Sequence, residues 1–195
     1  MRRTALAVAA ALSLALAAPA VAEPYVLDKS HAHVTFTVGH LGFSDVHGQF
    51  REFDAEIDLD VDAIENSRVR FVIQSASVDT FWPARDEHIR GGDFLNAAQF
   101  PEIVFASTAI EPTGGETAKV TGDLTIRDVT REITFDAKLN KIGPSPFDAS
   151  KTIAGFTITG EIDRTEFGIT YAAPAVSAVI PVVISLEASP AGSAG

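Results

Sequence analysis

Apolar and polar residues alternate along most of the chain, and this period of two restricts the fold more than any other feature of the sequence. In the first such segment, Ala32, Val34, Phe36 and Val38 are separated by single polar residues. Successive side chains of a β-strand point to opposite faces, so this spacing predicts a strand with one buried face. The same alternation recurs in later segments, which predicts an all-β chain.

About eight strands are predicted in this way. A bulge near Arg51 and Glu52 is needed because Phe50 is out of phase with Phe53 and Ala55. So many strands close into a barrel or fold as a sandwich. Their inward faces are rich in Phe, which fits a packed core and a ligand tunnel equally. The predicted strands cover residues 25–41, 48–60, 68–80, 101–110, 119–126, 132–140, 153–163 and 179–187.

The segment from Ser77 to Phe100 breaks the strand pattern and concentrates charged residues. Pro83 suits the first turn of a helix. Asp86 and Arg90 are four residues apart and could pair on one helical face, so a short helical excursion is predicted over residues 83–98. Its charges could act as acid–base machinery, or they could fix a helix across one end of a barrel.

Residues 1–22 have the features of a secretory leader. A positive start is followed by an apolar run over residues 5–18 and by Ala20-Val21-Ala22, an A-x-A-like cleavage site. The run is shorter than the ~20 residues of a spanning helix, and Pro19 interrupts it, which argues against a membrane anchor. We therefore expect export to the periplasm, with no membrane-embedded segment after cleavage.

Charge and cysteine usage exclude several classes of protein. The formal net charge is −11, and removal of the leader takes away two further positive charges, Arg2 and Arg3. Such a chain repels phosphates, so nucleic-acid binding is not expected. Without cysteine there is no disulfide framework and no thiolate chemistry.

Five histidines allow a metal-based alternative. His31 and His33 would lie on one strand face, and His40, His47 or His88 could add a third ligand. Three observations argue against a metal site. H-x-H alone is a weak motif, the pair lies on the more polar face, and no carboxylate stands at a spacing that would indicate a metal ligand. Ser75 and Ser77 lack the context of a nucleophile elbow. No catalytic residue, metal site or cofactor is therefore predicted.

A binding role accounts for the same residues more simply. Apolar inner faces would hold the tail of an amphiphile, and a polar mouth would meet its head group. The mouth residues are predicted to be Asp79, Arg85, His88 and Arg90. The tunnel residues, taken from strand alternation and the aromatic residues beside it, are Val34, Phe36, Val38, His40, Phe50, Phe53, Val69, Phe71, Ile73, Phe94, Phe105, Phe135, Phe156, Ile158 and Phe167.

The chain carries a series of short motifs in fixed order: Ser30–Val34, His40–Ser44, Ser77–Thr80, Arg85–Arg90, Asp93–Asn96, Phe100–Pro101, Gly122–Ile126, Ile162–Arg164 and Phe167–Gly168. This series resembles the YceI-like family of bacterial periplasmic polyisoprenoid-binding proteins. The resemblance implies an eight-stranded antiparallel, lipocalin-like barrel over residues 23–188, followed by a flexible tail over 189–195. It implies a tunnel for an isoprenoid lipid such as a polyprenyl diphosphate or a quinone, or for another long amphiphile, without catalysis or a metal.

The sequence therefore predicts a periplasmic carrier of a long-chain isoprenoid lipid. Two alternatives stay open: a histidine-based, metal-dependent hydrolase, and a ligand-free structural or redox-partner module. Pro181 lies within the last predicted strand and indicates an edge or bulge there, which would suit a homodimer.

Overall fold

The computed structural model describes residues 22–193, so the leader predicted over residues 1–22 lies outside the described residues except for Ala22. Ten strands and one α-helix follow one another along this described part of the chain. They are β1 (Glu23–His40), β2 (Ser44–Phe50), β3 (Phe53–Leu59), β4 (Arg68–Gln74), β5 (Val78–Asp79), α1 (Pro83–Arg90), β6 (Glu102–Gly114), β7 (Thr117–Ile126), β8 (Val129–Pro144), β9 (Thr152–Asp163) and β10 (Val179–Pro190).

The strands form one closed antiparallel sheet. Its order is β10-β9-β8-β7-β6-β4-β3-β1-β2-β5, and β10 also pairs with β1. The strands β2 and β3 act as one strand interrupted at Arg51 and Glu52, and β4 and β5 are joined by a 3₁₀ turn over Ser75–Ser77. The barrel therefore has eight strand positions, which confirms the predicted eight-stranded antiparallel barrel and the interruption after Phe50.

The first strand changes its buried face part-way along. Tyr25 and Leu27 are buried before the change, and Ala32 and Val34 are buried after it. The register between β1 and β10 shifts between Asp28 and His33, as expected of a bulge. The sequence pattern predicted the inward face only from Ala32 onward, because the alternation before it is in the opposite phase.

The helix α1 lies across the end of β5. It starts with Pro83 at its first turn and ends at Gly91, and residues 92–99 form turns in place of the predicted continuation to residue 98. The predicted ion pair between Asp86 and Arg90 is wrong. Asp86 is buried and accepts hydrogen bonds from Thr80, since this side of the helix faces the barrel and not the solvent.

Closure of the barrel involves the start of the predicted tail over residues 189–195, of which residues 194 and 195 lie outside the described residues. Ser189 pairs with Val26 and Pro190 with Tyr25, so β10 extends into the segment predicted to be flexible. At its other end, the β1–β10 ladder stops at Val182, next to Pro181, which cannot donate a ladder hydrogen bond. A homodimer formed through this local edge stays a prediction.

None of the helices within residues 22–193 has the length and hydrophobicity needed to cross a bilayer.

Candidate ligand-binding tunnel

A cavity of about 1130 Å³ lies inside the barrel. Residues at the α1 end of the barrel line it, among them Trp82 and Tyr171, and so do Ile64 and Gly115 in the loops at the opposite end. The cavity therefore extends along the barrel as a tunnel. Typical small-molecule sites occupy about 300–1,000 Å³, so this space suits a long ligand.

Most residues predicted for the tunnel line this cavity. Phe53 and Phe167 do not: Phe53 stacks against Phe71 at a centroid distance of 5.7 Å, and Phe167 is only 1% exposed within a core cluster beside the tunnel. The predicted residues that do line the cavity are Val34, Phe36, Val38, His40, Phe50, Val69, Phe71, Ile73, Phe94, Phe105, Phe135, Phe156 and Ile158.

The tunnel wall also includes residues that were not named as site residues. Those in β7 to β10 follow the same alternation, so the pattern already placed them on an inward face. Tyr171, Ala172 and Val176 lie in the irregular loop over residues 164–178 and had no periodic signal. These strand residues include Val120, Leu124, Ala137, Leu139, Ile162, Ile180, Val182, Ile184 and Leu186.

Of the predicted mouth residues, Arg85 and His88 line the cavity, whereas Asp79 and Arg90 do not. The Asp79 carboxylate accepts hydrogen bonds from the Phe81 N–H, at 2.9 Å, and from Gln49 and Arg51. These bonds lower the pKa of Asp79. Arg90 donates to the carbonyl oxygens of Ala76 and Val78, at 2.7 and 2.9 Å, and so holds α1 against the barrel.

Arg164 lines the cavity, although the sequence analysis named it only within the Ile162–Arg164 motif and not as a site residue. It is 7% exposed and donates hydrogen bonds to the carbonyls of Ile169, Val176 and Ser177, at 2.7, 2.8 and 2.9 Å. Its guanidinium lies 5.9 Å from the centroid of the Phe94 ring. Burial lowers the pKa of Arg164, and the neighbouring Asp163 partly offsets this effect. A buried cation thus ties the 164–178 loop to the tunnel end.

Arg85 is bound in a similar way, by Thr80. Its Nε donates to the Thr80 hydroxyl at 2.7 Å, and its Nη2 donates to the Thr80 carbonyl at 2.6 Å. Neither Arg85 nor Arg164 forms an ion pair with a carboxylate of residues 22–193, in contrast to Arg51, Arg70 and Arg90. Both cavity-lining guanidinium groups at this end are therefore held by hydrogen bonds to uncharged groups and not by a carboxylate of the described residues.

The charged lining differs between the two ends of the tunnel. At the α1 end it comprises His40, Arg85, His88 and Arg164, and no carboxylate of the described residues lines the cavity there. At the opposite end Arg68 is accompanied by four carboxylates, those of Asp58, Asp62, Glu65 and Glu116. The apolar tunnel therefore has a cationic end and an acidic end.

An aromatic cluster surrounds His88 at the cationic end. The His88 ring meets Phe94 and Tyr171 edge-on, with centroids 5.1 and 5.2 Å away, and Nε2 of His88 lies 2.9 Å from the Asp93 carboxylate. Phe94 and Tyr171 are themselves 5.4 Å apart. These contacts join α1 to the 164–178 loop over the end of the tunnel.

The metal site that was left open as an alternative, with His31, His33 and a third histidine, is not assembled within residues 22–193. His47 contacts the Thr37 hydroxyl, and His88 contacts Asp93. In the described part of the chain, the side chains close enough to surround an ion are Asp28, His31 and Glu187, without His33. Asp28 lies three positions before His31, and the sequence analysis did not consider this carboxylate as a partner of the histidine.

Comparison with known proteins identifies the family. Residues 25–188 match the YceI-like domain. The chain belongs to the YceI-like family. Members of similar length include UPF0312 proteins of Pseudomonas savastanoi pv. phaseolicola (38% identity over 189 residues, 96% of this chain and 97% of the relative) and of Pseudomonas syringae pv. tomato (39% over 171 residues, 87% and 88%).

Solved structures share the YceI-like barrel. Campylobacter jejuni YceI protein is 31% identical, with a TM-score of 0.71 over 77% of this chain and 88% of that one. Burkholderia cenocepacia BcnA is 22% identical, with a TM-score of 0.75 (83% and 98% covered). A polyisoprenoid binding domain from Saccharophagus degradans, implicated in plant cell wall breakdown, is 14% identical with a TM-score of 0.61 (86% and 99% covered). The last two show the fold alone.

Proposed function

We propose that this YceI-like protein binds a long-chain isoprenoid lipid in its tunnel and carries it through the periplasm without chemical change. The observation that carries the proposal is the long apolar cavity whose charged groups are confined to its ends. Family membership and the likeness to a structure described as a polyisoprenoid binding domain support it. Each buried CH₂ group of the ligand contributes about 0.8 kcal/mol, so a long chain gains affinity along the whole tunnel.

The charge difference between the ends favours one orientation of the lipid. An anionic head group, such as a diphosphate, would be attracted to the end with Arg85 and Arg164 and repelled by the carboxylates at the other end. The tail would then point toward Ile64 and Gly115. A quinone has a neutral head group and would gain little from this arrangement, so we propose a polyprenyl phosphate or diphosphate as the ligand class.

The primary test is to express the chain with its leader, fractionate the cells and purify the protein from the periplasm. Organic extraction followed by mass spectrometry should recover an isoprenoid lipid in a near one-to-one ratio with protein. Absence of the mature protein from the periplasm would refute the location. Protein that never carries a lipid, and that takes none up from detergent-solubilised polyprenyl phosphate, would refute the binding function.

A second test asks whether the ligand occupies the tunnel. Ala137 lines the tunnel, and Lys138, the next residue of β8, is exposed on the outer face. Ala137→Phe should weaken uptake of an octaprenyl chain more than that of a farnesyl chain, because the added ring shortens the space. Lys138→Phe places the same ring outside and should leave both unchanged. Equal behaviour of the two variants would contradict a tunnel site.

The head group can be tested separately with Arg85→Gln. This variant should bind a polyprenyl phosphate more weakly than the wild type and a polyprenol of the same length equally well. Equal loss for both lipids would assign Arg85 a structural role through Thr80 and not a role in head-group recognition.

A further inference from the structure

The α1 end of the barrel exposes several large apolar side chains to solvent. They are Leu41 and Phe43 in the β1–β2 turn, Phe81 and Trp82 before α1, and Tyr171 in the 164–178 loop, and we call these five residues the mouth rim. Phe43 is 89% exposed and Trp82 is 62% exposed. Exposed aromatic residues concentrated at one end of a protein mark a surface that meets a partner.

The mouth rim is continuous with the tunnel wall. Leu41, Trp82 and Tyr171 are exposed to solvent and also line the cavity. The rim segments contact one another, since the Leu41 N–H donates to the Ala175 carbonyl at 2.8 Å and the Tyr171 ring packs on His88. A lipid tail that passes through this end would therefore move along an apolar path that begins on the protein surface.

Backbone strain is concentrated at the same end. Leu41 and Phe81 have φ values of 54° and 64°, in the left-handed region that non-glycine residues rarely adopt. Within residues 22–193 the other non-glycine residues with positive φ are Asn96, Arg127 and Ala172, which all lie in loops at the α1 end. Such conformations persist where the surrounding structure enforces them, often at functional sites.

Charge distinguishes the two ends of the barrel as possible docking surfaces. The loops at the opposite end combine a single basic residue, Lys151, with the carboxylates of Asp60, Asp62, Glu65, Glu116 and Asp148. The loops at the α1 end have a net charge closer to zero, because they contain nearly as many arginines as carboxylates. These residues are Arg85, Arg90, Arg127 and Arg164 against Asp86, Glu87, Asp93, Asp128 and Glu166.

We propose that the mouth rim docks on the surface of a lipid bilayer and that lipid enters and leaves the tunnel there. This inference rests on the proposed lipid-binding function. Aromatic side chains, Trp above all, favour the membrane–water interface, and a docked rim would spare the ligand tail from crossing water. The near balance of charge at this end allows a strongly acidic protein to approach an anionic membrane.

The chain provides its own probe of docking. Trp82 is the only tryptophan and lies in the rim. Vesicles of phosphatidylcholine, and of phosphatidylethanolamine with phosphatidylglycerol, should shift its emission to the blue and protect it from iodide. Vesicles with brominated acyl chains should quench it. Unchanged emission with all these vesicles, combined with absence of the protein from floated vesicles, would overturn the proposal.

A matched pair of variants separates the rim from apolar exposure in general. Phe43→Ser with Phe81→Ser changes two rim residues that do not line the cavity, and Phe147→Ser changes a side chain that is 99% exposed at the opposite end. The double variant should lower vesicle binding about tenfold or more, as expected for loss of buried Phe contacts. Phe147→Ser should bind as the wild type does; the reverse pattern would place docking at the other end.

Two readouts distinguish this inference from the proposed function. The double variant should still carry lipid after purification, while its rate of lipid exchange with vesicles falls. If wild-type protein carries lipid but does not bind vesicles, the docking proposal alone is refuted. If the purified protein carries no lipid, the proposed lipid-binding function is refuted. A second copy of the chain as the occupant would give a concentration-dependent dimer with a blue-shifted Trp82 in the absence of vesicles, and that result would also overturn the proposal.

Discussion

At the residue scale, a carboxylate holds the point where β1 changes its buried face. Asp28 accepts hydrogen bonds from the Ser30 N–H at 2.9 Å and from the Ser30 hydroxyl at 2.6 Å, and its other oxygen lies 2.8 Å from Nδ1 of His31. The hydrogen bonds from Ser30 and His31 lower the pKa of Asp28 to about 2, and Asp28 raises the pKa of His31. The bulge and the histidine are therefore linked through one side chain.

This linkage predicts a pH dependence. The Asp28 contribution to stability is complete above its ordinary pKa of 3.8 and is lost as the pH falls through about 2. The His31 contribution is complete below 6.5 and is lost as the pH rises through its raised folded-state pKa. The pair should therefore stabilise the fold most between these two ordinary values.

The linkage can be measured by an NMR titration of His31. Asp28→Asn should lower the pKa of His31 toward 6.5. Asp148→Asn is the control, because Asp148 forms the same kind of turn with Ser150 without a histidine partner, and it should leave the His31 titration unchanged. A His31 titration that does not respond to Asp28→Asn would exclude the pair.

A second residue-scale prediction concerns Gly122, opposite Ser107 in the β6–β7 ladder. A Cβ atom at this position would lie 2.3 Å from the Ala106 carbonyl oxygen, a backbone atom that cannot easily move. Gly122→Ala should therefore destabilise the barrel by about 1–3 kcal/mol, measured by denaturant unfolding. Gly92→Ala has open space around the new atom and should cost far less; equal losses would contradict this reason.

At the element scale, α1 is held on the barrel by side chains and not by its own helical stability. It has only eight residues, and isolated helices of that length are unstable in water. Asp86, 5% exposed, accepts hydrogen bonds from the Thr80 N–H at 2.8 Å and from the Thr80 hydroxyl. Together with Arg85 and Arg90, this contact fixes the helix beside the tunnel mouth.

Loss of the Asp86 carboxylate should therefore loosen α1. Asp86→Ala leaves the buried Thr80 N–H without its acceptor, which costs about 1–3 kcal/mol, and amide exchange over residues 80–90 should accelerate. Glu87→Ala is the control, since Glu87 is exposed and its contact with Arg90 is 3.8 Å long. If the amides of residues 80–90 exchanged at the same rate in both variants, the contact between Asp86 and Thr80 would not be the one that anchors the helix.

The elements also show how far sequence reasoning reaches here. The strands and their inward faces were predictable because alternation is a local signal, read over a few neighbouring residues. The partners of Asp86 and Arg164 were not, because both bind groups placed near them only by the closed barrel and its irregular loops. Helical spacing predicted Arg90 as the partner of Asp86. Because that face of the helix is buried against the barrel, Asp86 accepts its hydrogen bonds from Thr80 instead.

At the scale of the whole molecule, the centre of the barrel is a tunnel and not a packed core. Phe36 packs on Phe50, and Phe105 packs on Phe135, with centroids 5.6 and 5.3 Å apart, and all four rings also border the cavity. The ring surfaces that border the cavity make fewer van der Waals contacts than those in a packed core. A bound lipid tail would supply further contacts. The sequence left a packed core and a tunnel equally open, because both need the same apolar inward faces.

Ligand removal should therefore destabilise the protein. A ligand that binds only the folded state, at 100 times its Kd, contributes about 2.7 kcal/mol, which corresponds to a rise in Tm of about 5–10 °C for a chain of this size. Protein purified with lipid should melt higher than protein delipidated in denaturant and refolded, and reloading should restore the difference. Identical scanning-calorimetry traces for the three samples would contradict a ligand inside the barrel.

The pairing of β1 with β10 bears on when the chain can fold. Tyr25 pairs with Ile57 on one side and with Pro190 on the other, so a ribosome must complete nearly the whole barrel sequence before both edges of the first strand can be paired. Contacts between residues so distant along the chain slow folding. Such a delay would leave the polypeptide unfolded during its synthesis, and an unfolded chain is the form that would suit the export to the periplasm that we propose.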